Sequence, residues 1–412
     1  MIIPLVALAL VFILICVRQV GRINIRIWQA MLIGAAVVVA TGQIPVTAAL
    51  RAINLDVIVL LLSMFIVGRA LEDSGTLEDL SFRFFSRAGT MDGLLILILF
   101  GSAAGSIFLM NDTMAIIGTP VVLLLARKNN VSPKPLLLAL AFGITIGSVT
   151  SPIGNPQNLL IAMGGVKNTF VTFSRWLMLP TIFNLFAAYA LLRFSFKSVF
   201  GPTAPNHSPM EITDPKLARI SRLSLIILLG LIGAKVAIVL SGLPFDLPLT
   251  AIAAVPAVFI LVLSGRRWTI VRRIDWTTLV FFAAMFVLME SVWRTGFFQA
   301  LIARWHLDLR KPGVLIGVSV GLSQFISNVP LVALLKPVLL HVGATTRDFM
   351  ALVAGSTVAG NLTILGAASN VIIVQNAESR EGHTLTFLEF ARLGVPLTLI
   401  NALVYWLYLI II

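Results

Sequence analysis

Runs of roughly 20 apolar residues recur along this chain from end to end, the length an α-helix needs to cross the hydrocarbon core of a bilayer. Inside a bilayer every backbone N–H and C=O must be satisfied within the protein, which restricts such runs to helices. The expected fold class is therefore an all-α polytopic membrane protein. The runs fall at 2–18, 27–43, 56–72, 135–163, 172–196, 221–241, 247–265, 276–293, 347–376 and 388–412. Two further segments, 92–126 and 312–342, each hold a pair of apolar runs read as too short to cross alone. They read as re-entrant helical hairpins, tolerated only where protein surrounds them. Composition agrees: 58% of residues are hydrophobic and 11% charged, against about 45–50% and about 25% in soluble domains. The first run has neither a basic stretch before it nor a small-residue cleavage site after it, so it reads as a retained span. The lone Cys16 permits no intrachain disulfide.

A net charge of +13 would suggest nucleic acid for a soluble protein. Here the basic residues sit in the loops between spans, so no nucleic-acid partner is expected. Of the 30 Lys and Arg, 18 fall in one set of loops and 8 in the other. The richer set is assigned to the cytoplasm. Both termini then face the periplasm or the outside of an inner (plasma) membrane. The first hairpin enters from the cytoplasm and the second from outside. The hydrophilic stretch 198–220 reads as a cytoplasmic linker between two halves, 1–197 and 221–412.

Those halves align with each other in three places. The stretch from Leu62 to Gly75 matches that from Ala283 to Gly296 at an offset near 221. Phe108-Leu109-Met110-Asn111 matches Phe325-Ile326-Ser327-Asn328 at 217, with Pro120 and Pro337 each nine residues after the Asn. Ser151-Pro152-Ile153-Gly154 matches Thr363-Ile364-Leu365-Gly366 at 212, with Asn158 and Asn370 each four residues after the Gly. Each half crosses five times and holds one hairpin. An odd number of crossings turns the second half upside down, giving two inverted repeats with a site expected near the midplane at broken helices.

Polar residues punctuate the apolar runs at those places. Asn111-Asp112-Thr113 and Ser327-Asn328 lie between the arms of the hairpins, where Asn suits a helix cap and Pro330 the first turn. The stretch 150–158 cannot continue as helix through Pro152 and Pro156. Asn155 reads as an N-cap and Pro156 as the first helical residue. The mate of this break, 360–370, has no proline, so its break is argued from Gly360, Gly366 and the repeat. The candidate binding residues are Asn111, Asp112, Thr113, Ser151, Gly154, Asn155, Asn158, Ser327, Asn328, Asn361, Thr363, Gly366, Ser369 and Asn370. Four half-helix N-termini aimed at the centre would suit an anionic, oxygen-rich solute. Freed carbonyls near Asn111, Asp112, Gly154, Asn328 and Gly366 would suit Na⁺. Asp112 is the sharpest single residue, because an intramembrane carboxylate is costly unless it serves a function. It is expected to bind a coupling Na⁺ or to carry a coupled proton. Glu290, which stands where Arg69 stands in the other half, is a candidate partner for Arg69. Lys235 and Lys336 are weaker candidates, with Lys336 expected near the outer mouth.

At these residues the chain resembles a known family. Gly154-Asn155-Pro156-Gln157-Asn158 is similar to the Gly-Thr-Pro-x-Asn break of the ion transporter superfamily. Asn111 and Asn328 stand where that superfamily has the Asn of its paired Ser-Asn-Thr motifs. Gly360-Asn361-Leu362-Thr363 through Asn376-Ala377-Glu378, then Phe387-Leu388-Glu389-Phe390, resembles the C-terminal signature of the arsenite permease, NhaD-type antiporter and P-protein branch. That branch is related to the citrate and dicarboxylate:sodium symporters. The likeness covers most of 50–400. The hairpin motifs depart from Ser-Asn-Thr, reading Met110-Asn111-Asp112 and Ser327-Asn328-Val329. Three of the four hydroxyls that would hold a carboxylate are thus absent, and the Asn-Asp pair is similar to the arsenite permease side. The resemblance implies a homodimer. In it the hairpins, 135–163 and 347–376 move, and 2–43 and 221–265 hold the dimer.

The leading expectation is a secondary active transporter of a small anion or oxyanion, of the metalloid oxyanion or carboxylate class. It would be coupled to H⁺ or Na⁺ and work by alternating access. A Na⁺/H⁺ antiporter centred on Asp112 is the alternative. An intramembrane enzyme would need a nucleophile or a metal cluster. The sequence holds no His-Glu-x-x-His and only four His, all near loops or span ends. No enzyme activity and no cofactor are therefore expected.

Overall fold

The computed structural model describes residues 2–17, 19–20, 23–108, 110–162, 166, 169–201, 204–205, 214–241, 247–297, 300, 308–326, 328–382 and 384–412. Its first half runs α1 (Ile2–Val17), a two-residue strand pair β1 (Gln19–Val20) and β2 (Ile23–Asn24), α2 (Ile27–Ala40), α3 (Val46–Ala52), α4 (Leu55–Asp73) and α5 (Thr76–Phe85). There follow α6 (Met91–Phe108), α7 (Asn111–Lys128), α8 (Pro133–Ser148), α9 (Pro156–Ala162) and α10 (Thr169–Ser195). The second half runs α11 (Pro215–Ser241), α12 (Leu249–Leu263), α13 (Arg267–Arg272), α14 (Trp276–Arg294), α15 (Pro312–Leu322), α16 (Asn328–His341), α17 (Thr346–Val358), α18 (Ala368–Glu381) and α19 (Phe387–Ile411).

Among the described residues the regular structure is all helical apart from β1–β2, and the apolar runs became helices within a few residues of their expected limits. Five helices among the described residues are long and apolar enough to cross a membrane, and the pair α3–α4, bent by 53°, makes a sixth candidate. The protein is membrane-embedded and multi-pass. The runs 135–163 and 347–376 are each split by a break, as expected. Three expectations need correction. The first arm of the segment 92–126 stays helical for 18 residues and has the length and apolarity to cross alone. Residues 215–220, expected as linker, are already helix, because Asp214 caps α11 by accepting from Leu217 N at 3.0 Å. Three short helices, α3, α5 and α13, went unforeseen because they have no long apolar run.

Helix limits and caps repeat between the halves. Helices α4 and α14 are 221 residues apart at both ends, and so are their N-caps, Asn54 and Asp275. Asn54 accepts from Val57 N and Asp275 from Thr278 N, each satisfying an otherwise orphaned donor. Gly75 (φ 76°) and Gly296 (φ 69°) follow these helices in the left-handed region, at the same offset.

Packing divides the helices into two bodies. In one, α1, α2 and α14 pack together, as do α4, α11 and α12, and α14 touches α4. In the other, α6 packs on α8, α15 on α17, α7 on α8 and α18, and α10 on α19. The bodies meet mainly where α4 touches α7 and α14 touches α18. Close approach within the second body depends on glycine. A Cβ on Gly147 would lie 2.4 Å from Ala103 O, and one on Gly355 would lie 2.9 Å from Ile316 Cα.

Candidate functional site

Two broken helices form the polar centre of the second body. Helix α8 ends at Ser148, and the chain resumes as α9 only after Pro152 and Gly154. Asn155 caps α9, its Oδ1 accepting from Asn158 N at 2.8 Å, with Pro156 as first helical residue, as expected. Asn158 Nδ2 donates back to Ser148 O at 2.9 Å and Ser151 O at 3.0 Å. These bonds satisfy carbonyls that a broken helix leaves without partners. The second break passes through two 3₁₀ turns, Ala359–Asn361 and Ile364–Gly366. There Asn370 Nδ2 donates to Gly360 O at 2.5 Å, with a longer contact to Thr363 O at 3.5 Å. Donor and both acceptors stand 212 residues after their counterparts in the first break. A Cβ at Gly154 would meet Ser148 O at 2.6 Å, and one at Gly366 would meet Ala359 O at 2.6 Å. Both glycines are therefore required by the close approach of the chain to itself.

Each hairpin segment begins its second helix against its own break. Asn111 N donates to Gly154 O at 2.8 Å, and Asn328 Nδ2 donates to Gly366 O at 3.1 Å. Asn111 is not the cap that its residue type suggested. It is the first residue of α7, Met110 holds the cap position, and the Asn111 Oδ1 accepts from Asp112 N at 2.9 Å. Asn328 is likewise the first residue of α16, with Pro330 in its first turn. Ser327 lies outside the described residues. The two breaks are joined by Thr357, whose hydroxyl donates to Asn158 Oδ1 at 3.1 Å and accepts from Asn155 Nδ2 at 3.3 Å.

Most of the remaining candidates are buried beside these groups. Asp112 and Thr113 are each 6% exposed. Ser151 accepts from Ile153 N at 3.3 Å, and Thr363 donates to Gln324 Oε1 at 2.8 Å. Ser369 is fully buried. Asn361, in the first turn of the second break, donates from its Nδ2 to Asn401 Oδ1 on α19 at 3.0 Å. Among the described residues, buried oxygens without hydrogen-bond partners include Asp112 Oδ1, Asn328 Oδ1, Asn370 Oδ1 and Ser369 Oγ. Such hard oxygen donors suit a cation such as Na⁺. Sequence reasoning missed Thr357 and Gln324. The mate of Thr357 at offset 212 is Thr145, a pairing the repeat itself contains. Gln324, whose Nε2 donates to Ala359 O at 2.9 Å, carries no such signal.

Two small cavities lie along the seam between the bodies, one at each hairpin turn. The first, about 30 Å³, is lined by Leu60, Met64, Phe108, Thr113, Ile153 and Lys235 among others. The second, about 60 Å³, is lined by Phe281, Met285, Phe325, Gln324, Asn328 and Leu365 among others. Leu60, Met64, Phe108 and Ile153 of the first correspond to Phe281, Met285, Phe325 and Leu365 of the second. Cavities of this size hold only a few waters.

The charged candidates resolve differently from expectation. Arg69 does not pair with Glu290. It bonds Asp73 at 2.8 Å and Glu72 at 3.4 Å, whereas Glu290 bonds Arg294 at 2.8 Å, each choosing a partner one helical turn away. Lys235 is 3% exposed and donates to Leu247 O at 2.8 Å. Lys336 donates to Leu160 O at 2.7 Å and so satisfies a carbonyl in the last turn of α9.

A family model described as citrate transporter (CitMHS) matches residues 10–349. An uncharacterized transporter of Mycobacterium tuberculosis is 28% identical over 373 residues, covering 87% of this chain and 86% of that protein. The silicon efflux transporter of Oryza sativa subsp. japonica is 26% identical over 446 residues, covering 90% and 89%. The P protein of Sus scrofa is 25% identical over 505 residues, covering 98% of this chain and 59% of that protein. The resemblance to the ion transporter superfamily is borne out by these matches.

Proposed function

The chain belongs to the citrate transporter family, and on that premise we propose that it is a secondary active transporter of a small anion or oxyanion. It works by alternating access in the inner membrane, coupled to H⁺ or Na⁺. The observation that carries this reading is the matched pair of helix breaks. Asn158 and Asn370 each tie down two carbonyls at one constant offset, and each break receives an Asn from its own hairpin segment. Such matched breaks support two inverted repeats, 1–197 and 221–412, with re-entrant hairpins near 92–126 and 312–342. In this reading the solute binds at the hairpin turns and at Asn155, Asn158, Thr363 and Asn370, where helix N-termini favour negative charge. The coupling cation is held by Asp112 on one side and by the amide oxygens of Asn328 and Asn370 on the other. The body holding the breaks moves against the body built on α1, α2, α11 and α12, which also forms a homodimer. Both termini are periplasmic. The metalloid oxyanion and carboxylate classes both fit a neutral cradle of amides and hydroxyls with one carboxylate.

Counterflow in proteoliposomes tests the proposal. Vesicles preloaded with citrate, and separately with arsenite, are expected to accumulate the matching labelled solute for one of the two. If neither is exchanged and Na⁺ alone dissipates a pH gradient, the protein is a Na⁺/H⁺ antiporter, the reading that the buried carboxylate of Asp112 otherwise favours. Asp112→Asn is expected to uncouple solute flux from the cation gradient. Wild-type coupling in that variant would remove Asp112 from the mechanism.

A further inference from the structure

Far from the breaks, at the other end of α18, a cavity of about 370 Å³ opens between α4, the α13–α14 connection and α18. That volume lies in the range of ordinary ligand pockets, about 300–1,000 Å³. Four guanidinium groups line it, from three separate elements: Arg69, Arg272, Arg273 and Arg380. The three carboxylates nearby are already engaged. Glu72 bridges Arg69 and Arg380, Asp73 pairs with Arg69, and Asp275 accepts from its own helix and from the Thr277 and Thr278 hydroxyls. Arg272 and Arg273 are exposed and have no ion pair among the described residues. Arg69 Nε is buried and has no hydrogen-bond partner among them either. The cavity therefore presents unmatched positive charge, and in forked form, the geometry that grips phosphate oxygens in pairs.

Two exposed tryptophans flank this charge. Trp268 on α13 is 72% exposed, and Trp276, which lines the cavity, is 48% exposed. Tryptophans so placed beside basic residues mark the level of lipid headgroups. Basic pockets between membrane helices bind phosphorylated headgroups by the same physics. We propose that this cavity binds a phosphate-bearing anion, supplied by the headgroup of an anionic phospholipid. The headgroup lies across the seam, touching α4 and α14 on one side and α18 on the other.

The test uses the full-length protein in detergent, titrated with phosphatidylglycerol and followed by native mass spectrometry. Arg272→Gln/Arg273→Gln is compared with Arg87→Gln/Arg219→Gln, which removes the same charge from exposed positions elsewhere on the chain. The first pair is expected to lose about tenfold or more in lipid retention, from the removal of two headgroup contacts, and the second to match wild type. Adding inorganic phosphate in a parallel arm identifies the source. Retention of the lipid in its presence supports the headgroup, and full displacement by millimolar phosphate overturns the lipid assignment in favour of a soluble oxyanion. Equal loss in both double variants, or no loss in the first, overturns the site altogether. The measurement involves no transport, so its failure leaves the proposed function standing.

Discussion

A single amide side chain, Asn158 of α9, ties its helix to the end of α8, to the loop between them and to Thr357 of the other half. Its mate Asn370 ties two carbonyls but receives no comparable hydroxyl, since its Oδ1 has no donor among the described residues. Removing Asn158 leaves more buried groups unpaired, each costing about 1–3 kcal/mol. Asn158→Ala is therefore expected to lower the thermal midpoint in detergent more than Asn370→Ala does. An equal or reversed order would show that the extra Thr357 bond contributes nothing. The pairing of these two residues was legible from spacing alone, because a Gly-x-x-x-Asn signature recurs at a fixed offset. The identity of their acceptors was not legible, because a backbone carbonyl leaves no mark on the sequence. The partner of Asn361 was hidden for a related reason: it shares the polar stretch of the break, and only packing reveals that its Nδ2 turns towards Asn401.

At the scale of elements, apolar length foretold the long helices and proline foretold the first break. The second break lacks proline, and Gly360, Gly366 and its mate located it. Helices α3, α5 and α13 escaped because short surface helices are set by contacts with their neighbours rather than by an apolar run. Helix-to-helix distance is a further element-scale property that glycine sets. Gly147 lets α8 lie against Ala103 of α6 with no room for a Cβ, whereas Gly230 on α11 has open space around it. Gly147→Ala is expected to destabilise the protein by about 1–3 kcal/mol through overpacking. Gly230→Ala should stabilise it slightly, since alanine is the better helix former. Thermal unfolding of the two variants decides this. A harmless Gly147→Ala would mean that α6 and α8 separate freely.

The whole molecule is two bodies with a seam, and an ionic bridge crosses it. Arg380 of α18 and Arg69 of α4 share Glu72. Partly exposed pairs of this kind are worth at most about 1 kcal/mol, enough to bias the seam without governing the fold. Glu72→Gln is expected to leave the thermal midpoint unchanged. It should quicken the labelling of a cysteine placed at Ser379 in a Cys16→Ser background. Labelling at the wild-type rate would mean that the bridge does not close the seam. The two halves of the second body also differ in how completely they satisfy themselves. In the first break the amide oxygens of Asn111, Asn155 and Asn158 all have donors, whereas Asn328 and Asn370 each keep a buried oxygen without one. An empty carrier crossing the membrane would drag those two unsolvated oxygens with it, at about 1–3 kcal/mol apiece. A loaded carrier would have them capped by its cation. Slippage of the empty carrier should therefore be the slow leg of the cycle. One-for-one exchange across a vesicle wall should outpace net efflux severalfold.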